Sequence, residues 1–148
     1  MSRTFTIGVF QDLSWAERGL DALAKHGFPA ESLTILGQDT AEVRALIERR
    51  LSGAPQALTI DGIGAVAGRG PLIETLQENG GNLATDGLAG AIARAGFQKH
   101  DGQIYERLTA KGGILVAIHT EPRAADALAT LHAYGGGNAA IGAWSGRL

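Results

Sequence analysis

The four histidines, at positions 26, 100, 119 and 132, are the first residues to weigh for acid–base or metal chemistry. None forms HxH, HxxxH or HExxH, the spacings by which a single element offers two imidazoles to one ion, and no acidic residue completes a zinc-type set. No metal site is expected. His26 and His132 fall near the ends of helical patterns, where an imidazole meets the negative end of the helix dipole, which is a structural role. His119 closes a strand-like run and could project toward a pocket at a sheet edge, so it is the candidate general base. Tyr105 precedes Lys111 by six residues instead of the four that would put both on one helical face, so a tyrosine–lysine couple for reductase chemistry is absent.

The string Gly62-Ile-Gly64-Ala-Val-Ala-Gly68, followed by Arg69 and Gly70, comes after an apolar LTID run and could let backbone amides approach a phosphate. Its spacing carries an extra residue, and Gly70-Pro71 is expected to cut short any helix that should follow. Close packing of small residues is the competing reading, and the preferred one. It extends to Gly87, Gly90 and the Ala93–Ala95 stretch. If a ligand binds at all, the residues that would hold it are Gly62, Gly64, Gly68, Gly70, Tyr105 and His119. No catalytic residue is assigned and no cofactor is expected.

Other chemistries lack their residues. There is no GxSxG elbow, no GxxxxGK loop and no cysteine. Glu74 and Glu78 share a helical face, which is ordinary solvated chemistry at four residues' spacing. Arg44, Arg49 and Arg50 cluster but are offset by Glu42 and Glu48, and no aromatic residues interleave them, so no nucleic-acid surface is expected.

The elements that must position these residues follow from periodicity. Residues 4–10 alternate as a strand with Phe5, Ile7 and Val9 on one face and Phe10 turning toward the next loop. Asp12 and Ser14 offer N-cap oxygens to a helix whose Ala16, Leu20, Leu23 and Gly27 share a face and which stops at Gly27-Phe28-Pro29. Residues 32–37 form a second strand. The same grammar returns as a strand over 112–120, a helix over 121–137 and a strand over 138–144, with Phe10 on Ile118, Ala16 on Ala124, Leu20 on Leu128 and Gly27 on Gly135. The expected fold is therefore α+β and ferredoxin-like, with duplicated β-α-β halves over 1–40 and 112–148 in one two-layer sheet. A glycine-rich, mostly helical insertion over 41–111 separates them. It holds a helix over 41–51, a possible strand within 57–72, a helix ending at Gly80-Gly81, one after Thr85 or Asp86, and one carrying Ile104, Tyr105 and Leu108 inward up to Gly112-Gly113.

The 148 residues, with net charge −2 and 45% hydrophobic content, fit one domain with a core of its own. The 22 glycines are about twice ordinary usage, without a collagen period, and call for turns and close approaches. No run reaches the roughly 18 apolar residues that span a bilayer, and the N-terminus lacks a secretory pattern, so the expected location is the cytoplasm.

With both halves and the insertion set out, the chain resembles the bacterial general stress proteins typified by the heat-induced stress protein YflT domain. The likeness rests on TIGVFQDLSWAERGLDALAKHGFPAESLTILGQD, on GIGAVAGRGPL, on DGLAGAIARAGF and on QIYERLTAKGGILVAIHT. It covers nearly the whole chain. The resemblance implies a small stress-associated domain with no established catalytic residues. The expected function is noncatalytic, through homo-oligomer formation or a protein partner. The alternative is a small-molecule or nucleotide site between the sheet edge and the insertion.

Overall fold

The computed structural model describes residues 5–51, 53–77, 87–91, 99–119 and 145–147. Strand β1 (Phe5–Phe10) runs into helix α1 (Leu13–Lys25) through Asp12, whose extended backbone and Oδ1, accepting the Trp15 N–H at 3.0 Å, make it the N-cap. Ser14, the other candidate cap, lies inside the helix. The helix ends where Gly27 turns to φ 83°, with Phe28 N–H donating to Leu23 O and Gly27 N–H to Ala24 O, both at 3.1 Å. This paired closure needs a left-handed residue, which is why the stop signal is a glycine. A short 3-10 turn (Ala30–Ser32) leads to β2 (Leu33–Gln38).

Helix α2 (Ala41–Leu51) starts from Thr40, whose hydroxyl accepts the Val43 N–H at 3.1 Å. It buries Val43, Leu46, Ile47 and Leu51, the helical spacing expected of that segment. Then come β3 (Gln56–Ile60), β4 (Gly64–Arg69), α3 (Pro71–Gln77), α4 (described over 87–91), α5 (Lys99–Ala110), β5 (Ile114–His119) and β6 (Ser145–Arg147). α5 closes as α1 does: Gly112, at φ 100°, donates to Thr109 O and Gly113 to Leu108 O.

The six described strands join one sheet in the order β3-β4-β2-β5-β1-β6, and every neighbouring pair is antiparallel. β5 is inserted between β1 and β2, which consequently run parallel to each other. Its sequence ILVAIH is buried from Ile114 to Ile118, the near-continuous apolar run of a strand covered on both faces.

Two hydrophobic cores result, one on each face. Ile7, Val9, Leu36, Ile60, Val66, Leu115 and Ala117 meet Leu72, Ile73 and Leu76 of α3, Leu88 and Ala91 of α4, and Tyr105 of α5. Phe10, Leu33, Ile35, Ala67, Ile114, Val116 and Ile118 meet Ala16, Leu20 and Leu23 of α1 and Val43, Leu46, Ile47 and Leu51 of α2. Successive strand residues alternate between the two cores, as a period of two requires.

Three expectations are corrected. The architecture has three layers instead of two, since the 41–111 segment supplies helices to both faces of the sheet. That segment is helical over most of its described residues and also contributes the β3–β4 hairpin to the same sheet. Phe10 does not turn into the loop; it is fully buried beneath α1. Pro71 does not cut a helix short but opens α3, the position at which its missing N–H costs nothing and its fixed φ suits the helix. The helix expected over 121–137 and the strand over 138–144 lie outside the described residues.

Candidate functional site

The hairpin turn decides what the glycine string can do. Ile63 N–H donates to Ile60 O at 3.0 Å, closing a four-residue turn whose third position is Gly62 at φ 88°. A type II turn requires positive φ there. Gly64, at φ 99°, opens β4. Gly62 and Gly64 are thus a reversal between two strands, with no helix N-terminus behind them to receive a phosphate. Gly68 is buried within β4, where an added Cβ would lie 2.6 Å from Ile73 Cδ1 and 2.7 Å from Leu36 Cδ1. Gly70, at φ 134°, passes so close to β2 that a Cβ would come within 2.4 Å of Thr34 Oγ1 and 2.5 Å of Leu33 O. The packing explanation accounts for both of these glycines.

Tyr105 is fully buried on the inward face of α5. His119 is exposed at the end of β5, opposite Phe5. Strand alternation places it on the Tyr105 side of the sheet, two residues beyond Ala117. The six expected ligand residues therefore divide among a hairpin tip, a strand interior, the β4–α3 junction, a helix core face and a strand end.

An open groove of about 770 Å³ does form elsewhere, at the end of the sheet where β4 stops and β2 begins. It is lined by Glu31, Leu33, Leu51, Pro55, Gln56, Gly68, Arg69, Gly70, Glu74 and Gln77 among others. Only Gly68 and Gly70 of the expected set contribute. The Arg69 guanidinium donates from Nη1 to Ala54 O at 3.1 Å and lies against Gly53, where an added Cβ would be 2.5 Å from Cζ. That arginine ties the α2–β3 connection across the groove's end. By sequence, Arg69 only follows the glycine string and Glu74 only shares a solvated helical face with Glu78. Nothing local signals that residues from around 31, 55, 69 and 74 meet, because their meeting depends on β4 pairing with β2.

Three inward-drawn polar side chains share a task. Thr34 Oγ1 accepts the Leu72 N–H at 2.9 Å in the first turn of α3. Gln38 Nε2 donates to Ala110 O at 2.8 Å at the end of α5. Glu106 Oε1 accepts the Ala89 N–H of α4 at 3.2 Å. Asp12 and Thr40 do the same at the starts of α1 and α2.

Charged surface pairs link neighbouring elements. Arg49 binds Glu17, and Arg50 binds Asp21 at 2.6 Å, fastening α2 to α1. Arg44 forks onto Asp39, Nε to Oδ1 at 2.5 Å and Nη2 to Oδ2 at 2.9 Å. Those hydrogen bonds hold the Asp39 carboxyl below its ordinary 3.8, against a lesser upward push from burial and with a further Coulombic contribution from Arg44. Among the described residues no group of three or more histidines and carboxylates could hold a metal ion. Among them, too, no helix is long and apolar enough to cross a membrane.

Fold and groove together define an α+β domain with a six-stranded antiparallel sheet covered by helices on both faces. No protein-family model, curated protein or solved structure matches the chain.

Proposed function

We propose that this chain is a noncatalytic domain that acts by association, with a second copy of itself or with a protein partner. The observation that carries this reading is the commitment of three inward polar side chains to backbone groups of helices. Thr34, Gln38 and Glu106 each complete a helix, so their chemistry goes into cohesion and not into a shared reaction space. The stress-protein resemblance adds a setting, the bacterial cytoplasm under heat or salt stress, which a rise in the protein's level after either treatment would test.

The ferredoxin-like duplication belongs to the same proposal. β2-β5-β1-β6 is the strand order of a split β-α-β plan. Under a repeat offset of 108 residues Gly8 corresponds to Val116, and these two residues pair directly in the β1–β5 ladder. A local two-fold axis between β1 and β5 requires such a pair of equivalents to face each other.

Analytical sedimentation between about 1 and 100 μM, with a thermal-shift panel of nucleotides and metabolites, tests the main reading. Association with a flat panel is the expected result. The second reading, a small-molecule site, is favoured by the groove beside Gly68, Arg69 and Gly70. A ligand that raises the melting temperature, by mass action on the folded state, and loses its effect in Arg69→Ala would replace the first reading with the second.

A further inference from the structure

The two edges of the sheet differ in what they offer a neighbour. β6 is a strand of three residues at one edge, and a very short edge limits pairing with another chain. β3, at the other, pairs with β4 over its whole length, Gln56 to Ile60, and among the described residues has no strand on its outer side. Proteins commonly guard such an edge with lysine, an inward charge, a bulge or an internal proline. β3 has none of these. The sequence carries no charge from Ser52 to Ile60, its single proline comes before the strand, and the β3–β4 register is unbroken. Gln56, Ala57 and Thr59 are exposed and Leu58 is half-buried against the core that holds Ile60.

The charges that flank this neutral strand differ in sign. Asp61 follows it in the turn. Arg69, one step beyond the Gln56–Gly68 pair, lies beside its other end. An antiparallel partner with the same sequence, centred on Leu58, would set Ala57 opposite Thr59 and bring the Asp61 of each copy alongside the Pro55 end of the other. Strand spacing puts that aspartate roughly 10 Å from the second copy's Arg69 backbone, within reach of a guanidinium and of a Debye length. The match occurs twice by symmetry, and the pairing closes because both free edges are consumed.

We infer that the outer edge of β3 is the self-association surface, joining two copies antiparallel about Leu58 into one continuous twelve-stranded sheet. This rests on the association reading and names the surface and the partner.

The test is sedimentation of the full chain and of two double variants at exposed positions. Ala57→Lys with Thr59→Lys sets like charges opposite each other across the two-fold and should raise the dimer dissociation constant by about tenfold or more. Ala57→Lys with Thr59→Asp sets opposite charges together and should restore association. Because the chain has no cysteine, Leu58→Cys supplies an independent reading: under mild oxidation it should yield a covalent dimer, whereas Glu42→Cys on the exposed side of α2 should not. A dimer indifferent to the paired lysines and uncrosslinked through position 58 overturns the β3 surface while leaving self-association standing. A chain monomeric at every concentration overturns both. A monomer that instead takes up an extended peptide along β3 overturns the second copy as the occupant.

Discussion

The ring of Phe10 lies directly on the backbone of α1 at Gly19, so closely that a Cβ built there would stand 2.4 Å from Cζ and 2.8 Å from Cε1. The last residue of β1 thus sets how near the first helix can approach the sheet. Both residues are buried, and the ring has no open side toward which to yield.

That contact decides the sign of a substitution. In a helix interior Gly→Ala ordinarily stabilises by about 0.5–1 kcal/mol. Here overpacking should outweigh this gain, and Gly19→Ala is expected to destabilise by roughly 1–3 kcal/mol in urea unfolding. In a Phe10→Leu background the smaller side chain leaves room, and the same substitution should become neutral or stabilising. Equal effects in the two backgrounds would show that the ring is not the obstacle.

The Thr34 hydroxyl accepts the Leu72 amide in the first turn of α3, and it is fully buried. Thr34→Val keeps the shape and removes the acceptor, leaving the Leu72 amide without its partner. A loss of about 1–2 kcal/mol is expected, with Thr34→Ser retaining most of the wild-type stability. Gly70→Ala should be costlier than Gly64→Ala. Both have positive φ, but only at Gly70 does a Cβ meet backbone, at Leu33 O, whereas Gly64 opens onto empty space. Denaturation midpoints of the two alanine variants measure the difference.

Glu106 connects α5 to α4 and to the hairpin. Besides accepting from Ala89, its carboxylate lies 3.6–3.7 Å from a Cβ built at Gly62 and its Oε1 2.8 Å from one built at Gly87. Glu106→Ala should destabilise by about 1–2 kcal/mol and act locally. Hydrogen exchange at the Ala89 amide should accelerate more than at amides of α1. Uniform acceleration would mean that the glutamate supports the fold only as a whole.

Asp39 gives the described structure a titrating contact with a defined sign. Arg44 lowers its carboxyl pKa on folding, so the stability gained from the pair is complete above the ordinary 3.8 and is lost as pH falls through the lower folded value. The stability difference between wild type and Arg44→Gln should be constant near neutrality and vanish in strong acid. Carboxyl-carbon NMR should place the Asp39 titration below 3.8 in the wild type and move it upward in the variant. High salt should shrink the difference, because the pair is exposed to solvent.

The sequence by itself determined where α1 begins and where α1 and α5 end. Asp12 before an amphipathic run, Gly27 after it and Gly112-Gly113 after Leu108 each specify a local backbone geometry through contacts within a few residues. Periodicity likewise marked the buried faces of α1, α2 and α5, including Tyr105. Only the tertiary structure decided that β5 enters between β1 and β2, that the glycine string is a hairpin widening the same sheet, and that Phe10 packs on Gly19. It also decided that Gly68, Arg69 and Gly70 meet Glu31 and Glu74 around a groove. Short apolar runs rich in glycine carry no mark of their partners. Strand pairing between residues as far apart as 8 and 116 is settled by which arrangement covers both sheet faces at once, a property of the whole chain and of no segment alone.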